Sequence, residues 1–153
     1  MKNKLLLLTY CLIFSFASCN NDDKTSSSKP ENDIDAARDF IRAALDGKFE
    51  EARKLLLPDS SNINYMDVAE RNYQKANDST KNGYREATIR ILNVTNAVKD
   101  SVTIVIYSNS YKNDPDTLKV LKTKGQWLID LKYLYEHDMD TMHYMNRTKD
   151  SLK

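Results

Sequence analysis

Residues 137–143, His137-Asp138-Met139-Asp140-Thr141-Met142-His143, mix imidazole and carboxylate donors, the groups that bind transition metals and move protons near neutral pH. The spacing argues against a metal site: His137 and His143 are six apart and fall on different faces of a helix, whereas paired ligands need i, i+3 or i, i+4. Acid–base work would need a carboxyl, imidazole or phenol in a dry pocket. Asp130, between Ile129 and Leu131 in an alternating segment, is expected to point outward. Tyr65, Tyr73, Tyr84, Tyr107 and Trp127 are the candidate lining of a small pocket, although Tyr at a half-buried rim more commonly serves packing. No Gly-rich phosphate loop, no supported Ser-His-Asp order and no basic patch interleaved with aromatics occurs. The residues therefore name no catalytic group, no metal, no cofactor and no nucleic-acid partner.

The thiols carry a different chemistry. Of the two cysteines, Cys11 lies inside the apolar run 5–17 (LLLLTYCLIFSFA) and Cys19 at its end, with none beyond. Lys2 and Lys4 precede the run, giving the order of an export signal. As a helix the run rises about 20 Å, short of the ~30 Å hydrocarbon core of a bilayer. Phe16-Ala17-Ser18-Cys19 resembles the lipobox of bacterial lipoproteins, with Phe16 in place of the commoner Leu and Ser18 in place of Gly or Ala. That resemblance implies a signal peptide over 1–18 and a mature protein beginning at Cys19, held to the membrane by lipid (palmitate among its acyl chains). Ordinary cleavage after Ala17, with Ser15 and Ala17 as the small residues, is the rival reading. Loss of Lys2 and Lys4 takes the net charge from +1 to about −1, so no polyanion-binding field is expected. A single acylated Cys also leaves the mature domain without an internal disulfide.

Residues 19–31 are polar and Ser-rich, a tether with nothing to bury. Asp22 and Asp23, close behind Cys19, resemble the signal that carries some Gram-negative lipoproteins to the outer face of the outer membrane; the expected address is an outer-membrane lipoprotein facing the periplasm or the cell surface.

A domain over 32–135 must position the remaining groups, followed by a tail over 136–153. Asn32 or Asp33 can cap a helix carrying Ile34, Ala37, Ile41, Ala44 and Leu45 at helical spacing, closed by Asp46-Gly47. A second helix is expected over 48–57, stopped by Pro58, and a third over 64–76 before the breaker cluster 77–83. Past Gly83 the period becomes two. Strands are expected over 88–96, 102–107, 117–123 and 126–132, turned at Lys99-Asp100, Asn113-Asp114-Pro115 and Lys124-Gly125. Ile89 and Ile91, Val102, Ile104 and Ile106, Leu118 and Val120, and Trp127, Ile129 and Leu131 would form the covered apolar face. The class is α+β, with N-terminal helices packed on one face of a curved four-stranded antiparallel sheet.

Two phrases carry a further resemblance: FIRAALDGKFEEARKLL at 40–56 and LKVLKTKGQWLI at 118–129. They resemble the helix hairpin "ALxxGDYEKAxxL" and the terminal hairpin "xGxWKI" of bacterial lipoproteins with a nuclear-transport-factor-2-like, cystatin-like cone, over about residues 33–133. These motifs are structural, so the resemblance implies a fold more than an activity. Armed members of that superfamily, polyketide cyclases and ketosteroid isomerases, place Asp, His or Tyr in the cone; here the inward positions read as aliphatic or Trp127. The expected function is a membrane-anchored, non-catalytic binding or interaction domain for an unidentified protein or small molecule, with homodimerisation as a candidate state. The alternatives are a small-molecule-binding cone and a cyclase- or isomerase-like enzyme.

Five short phrases resemble the Asp-Ser/Thr-apolar acceptor of a periplasmic O-glycosylation system, making Ser79, Ser101, Thr117, Thr141 and Ser151 candidate acceptors. Met139, Met142 and Met145 form a stripe that would dock the tail on its own domain.

Overall fold

The computed structural model describes residues 29–136, excluding the side chains of 135 and 136. Helix α1 (Asp33–Leu45) begins where Asn32, in extended backbone, accepts a hydrogen bond from the Asp35 amide at 2.9 Å. Asp33 and Asp35 lie at its positive end and Arg42 in its last turn, the arrangement the helix dipole favours. Its buried face is Ala36, Ala37, Phe40, Ile41 and Ala43, and it meets all four strands of the sheet. Gly47 then takes φ +76, the left-handed conformation that a glycine reaches without a Cβ penalty.

Helix α2 (Phe49–Lys54) is shorter than its periodicity suggests, because the sheet takes the backbone that would have continued it. Leu56 bridges Ile129 in parallel; the Leu57 amide donates to the Ile129 carbonyl at 2.9 Å and the Ile129 amide to the Leu55 carbonyl at 2.8 Å. Helix α3 (Ser60–Lys75) starts four residues before the expected Asn64, capped by Asp59, whose carboxylate accepts from the Asn62 amide at 3.0 Å. Arg53 joins the two helices through Asp67 at 2.8 Å and Glu70.

The stretch 77–83 is not a breaker. It opens helix α4 (Asp78–Glu86), with Asn77 accepting from the Thr80 amide at 2.8 Å. Its Asp, Ser, Thr, Asn and Gly residues are poor helix formers and it buries none of its own residues, so tertiary ties have to hold it. Arg42 of α1 supplies one, donating to the Arg85 carbonyl at 2.9 Å and to the Ala87 carbonyl while pairing with Asp46 at 3.0 Å.

Strands β1 (Ile89–Val98), β2 (Val102–Asn109), β3 (Asp116–Thr123) and β4 (Gln126–Asp130) pair in chain order as a curved, open antiparallel sheet, and a short α5 (Lys132–Glu136) follows. The turn signals hold: Asp100, Asn113 and Lys124 adopt positive φ, and Lys124-Gly125 has both central residues there, as a type I′ hairpin requires. Helix-facing residues include Ile89, Ile91, Leu118, Val120, Trp127, Ile129 and Leu131, as the alternation predicts.

Strand β2 is the exception. Val105, opposite Leu118, lies in the helix-side core with Tyr107, whereas Val102, Ile104 and Ile106 take the other face. VTIVIY is apolar on both parities, so alternation cannot set its phase, and a one-residue difference in register inverts every side chain. Thr103, 2% exposed, shares the helix side with Val105; its hydroxyl hydrogen-bonds the Asp33 carboxylate and lies 3.2 Å from Asn96 Oδ1, tying sheet to helix start.

Candidate functional site

Two assemblies of side chains stand out, one inside and one on the surface. The inner one lies where the start of α3 meets the end of β4. Asn62, fully buried, accepts from the Leu131 amide at 2.6 Å and donates from Nδ2 to Asp59 at 2.8 Å and to Asp130 at 3.4 Å. Its orientation follows from those partners, since a backbone N–H needs an oxygen and carboxylates need donors. Asp130 also accepts from the Lys132 amide at 3.2 Å and faces Lys119 Nζ at 3.6 Å; Lys132 Nζ reaches Asp59 at 3.0 Å and Asp130 at 3.9 Å. The Asn62 amide hydrogen bond, followed by Lys132, pulls Asp59 down to about 2.

Asp130 is therefore not the outward, solvated residue that alternation suggests. It leaves the face of Ile129 as expected, yet is only 6% exposed, because Asn62, Lys119 and Lys132 close over it. Both carboxylate oxygens have partners, and among the described residues no buried side-chain nitrogen or oxygen lacks one. Such a network fixes one arrangement of helix and sheet.

The outer assembly is a row of rings crossing three helices and a turn. Phe49 of α2 meets the edge of Tyr73 of α3 at 5.4 Å between centroids; Tyr73 stacks with Tyr84 of α4 at 6.3 Å; Tyr84 meets Tyr111, in the β2–β3 connection, edge to face at 5.1 Å. Two glycines make room for it. A Cβ on Gly47 would come within 2.6 Å of the Tyr73 ring, and one on Gly83 within 2.3 Å of the Tyr111 ring. Lys81 Nζ sits 6.0 Å from the Tyr73 centroid while donating to the Gln74 carbonyl at 3.1 Å. Lys112 Nζ lies 5.8 Å from the Tyr84 ring centroid, and the nearby Tyr84 hydroxyl is the largest of the influences that raise its pKa. The row runs from buried Phe49 to Tyr111, 44% exposed.

Of the five aromatic residues singled out in the sequence, Tyr73 and Tyr84 are brought together. Tyr65, Tyr107 and Trp127 pack against the core from α3, β2 and β4; Tyr107 also donates to Asp116 at 3.3 Å, and Lys122 lies 5.1 Å from the Trp127 centroid. Tyr111 is the ring that sequence reasoning missed; its turn position carries no periodic signal. Of the candidate acceptor hydroxyls, Ser79 is exposed in the first turn of α4 and Ser101 half-buried in the β1–β2 turn, but Thr117 is 2% exposed within β3, out of reach of a modifying enzyme. Thr141, Ser151, Cys19, both histidines and the Met139–Met142–Met145 stripe lie outside the described residues.

Among the described residues no group of three His, Cys, Asp or Glu is placed to hold a metal, and no helix is long and apolar enough to cross a membrane. Comparison with protein-family models, with curated proteins and with solved structures finds no match.

Proposed function

We propose that the chain is a lipid-anchored envelope protein whose domain, a nuclear-transport-factor-2-like cone, binds a partner without catalysing a reaction. The leader 1–18 and the Phe16-Ala17-Ser18-Cys19 phrase support the anchor, with Cys19 as the acylated residue and the outer membrane as its address. One contrast carries the binding role. The buried carboxylate of Asp130 is spent on internal partners, while the aromatic row ends on the surface at Tyr111 beside Lys112. Tyr offers a large contact area with little side-chain entropy to lose, which is why it recurs at binding hot spots.

The binding role is tested by placing a photo-reactive amino acid at Tyr111 and, separately, at exposed Asn64 of α3 in the full chain in its own cells. A discrete adduct from position 111 that is missing from 64 is expected; equal labelling at both positions, or none at 111, overturns the assignment. For the anchor, Cys19→Ala is expected to move the chain from the membrane to the soluble fraction and to abolish palmitate incorporation. Unchanged fractionation would refute acylation at that residue.

A further inference from the structure

The two edges of the sheet are treated differently. At β4 the backbone of residues 55–57 pairs with Ile129, so that edge is partly closed by the chain itself. At β1, among the described residues, no strand pairs with the outer side. Every second N–H and C=O of an edge strand points away from its sheet, a ready template for another strand; proteins ordinarily guard such edges with lysines, prolines or inward charges. Here the lysine, proline and inward-charge guards are missing from the middle of the strand, which only register irregularities flank. From Ile91 to Val98 the sequence is ILNVTNAV, without a charge, glycine or proline, in a chain of which 29% is charged. All residues from Asn93 to Val98 are exposed, including Val94 at 42% and Val98 at 55%.

The register with β2 narrows the usable part. Shifts between Ile91 and Asn93 and between Asn96 and Val98 mark irregularities that bend the strand, leaving Asn93, Val94, Thr95 and Asn96 as its regular segment, opposite Ile106, Val105, Ile104 and Thr103. We propose that this segment pairs antiparallel with the same segment of a second copy of the chain, joining two four-stranded sheets edge to edge.

The sequence suits self-pairing. A two-fold axis normal to the sheet must pass at a residue, so that paired side chains share a face. Centred on Val94, it sets Val94 against Val94 of the second copy and Asn93 against Thr95, covering the exposed valine and bringing no like charges together. A ladder of about three residues on each strand, Asn93 to Thr95, is small beside the ~1,200 Å² or more that stable interfaces bury, so the association is weak and depends on concentration. Confinement to a membrane surface would raise the effective concentration. The pairing itself needs neither Cys19 nor Tyr111, so it stands or falls separately from the proposed function.

Sedimentation of the full chain in detergent across a wide concentration range should show a monomer–dimer equilibrium. Val94→Lys, which sets two ammonium groups face to face, should raise the dissociation constant by about tenfold or more while leaving the thermal midpoint in place. In a background lacking the native cysteines, Val94→Cys should form an intermolecular disulfide on mild oxidation, and the more exposed Val98→Cys should not. A chain that stays monomeric at every concentration, an association untouched by Val94→Lys, or Val98→Cys cross-linking as fast as Val94→Cys overturns the proposal.

Discussion

The polar network around Asn62 and the aromatic row ending at Tyr111 both join α3 to other elements, yet they are built on opposite principles. In the network directional hydrogen bonds and ion pairs converge on a few groups, and Asn62 alone serves Leu131, Asp59 and Asp130. In the row, rings meet at 5.1 to 6.3 Å, edge to face or stacked, and the last is nearly half exposed. Hydrogen bonds to charged groups fail abruptly when a partner is removed, whereas ring contacts degrade in proportion to the area lost. The network thus specifies how helix and sheet meet, and the row leaves a surface that can change without unfolding the domain.

The sharpest way to break that contrast is Asn62→Ala. It leaves the Leu131 amide without its acceptor and two carboxylates short of a donor, a loss of about 3 kcal/mol in which the buried groups left unpaired outweigh the net worth of the bonds. For a domain of this size the thermal midpoint should fall by about 10 °C or more. Tyr111→Ala, measured alongside, should cost under about 1 kcal/mol. Comparable losses in the two variants would erase the distinction. Next comes Gly47→Ala. The left-handed backbone costs an alanine roughly 1 kcal/mol, and the new methyl must also push the Tyr73 ring aside, so a loss of about 1 to 2 kcal/mol is expected in chemical denaturation.

The network has a pH signature in the acid range. Asp59 is held at about 2 when folded, below its ordinary value of 3.8, so its contribution is complete above pH 4 and is lost as the pH falls through 2. Because the carboxylate is one-third exposed, solvent screening keeps the effect modest. Asp59→Asn retains a good N-cap but not the ion pair with Lys132; its urea midpoint should therefore decline less steeply between pH 4 and pH 2 than that of the parent. Parallel declines would place the acid sensitivity elsewhere.

The legible parts of the sequence were those where one physical signal acted alone. Strands β3 and β4 concentrate their apolar residues on one parity, with only Leu121 and Leu128 on the other, and take the expected face; β2, apolar on both, takes the opposite one. Helix α1 announces itself by its cap and stripe, whereas α4 has no apolar stripe and few good helix formers, and its stability comes from Arg42 and from Tyr73 and Tyr111 against its Tyr84, partners invisible in its own window. The hairpin Lys124-Gly125 was readable because its backbone demands are local. Asp130 and Tyr111 were not, since each owes its environment to residues distant in sequence: Asn62 for the first, Gly83 and Tyr84 for the second. A pairing of Tyr73 with Tyr84 could be suspected, but the row they belong to depends on two glycines whose spacing has no period.

Gly83 offers the finest test, because two effects of similar size oppose one another there. It lies within α4 at an ordinary helical φ, so alanine should favour the helix by about 1 kcal/mol. The same methyl would sit 2.3 Å from the Tyr111 ring, which must then swing off the helix and give up its contact with Tyr84, worth about 0.5 to 1.5 kcal/mol. The two nearly cancel in Gly83→Ala. They separate in the double variant Gly83→Ala with Tyr111→Ser, where no ring is left to displace and the propensity gain should appear in full relative to Tyr111→Ser alone. A double-mutant cycle in urea reads the difference as a coupling of about 1 kcal/mol between the glycine and the ring. A coupling near zero would mean that Tyr111 does not rest on α4, and the aromatic row would then stop at Tyr84.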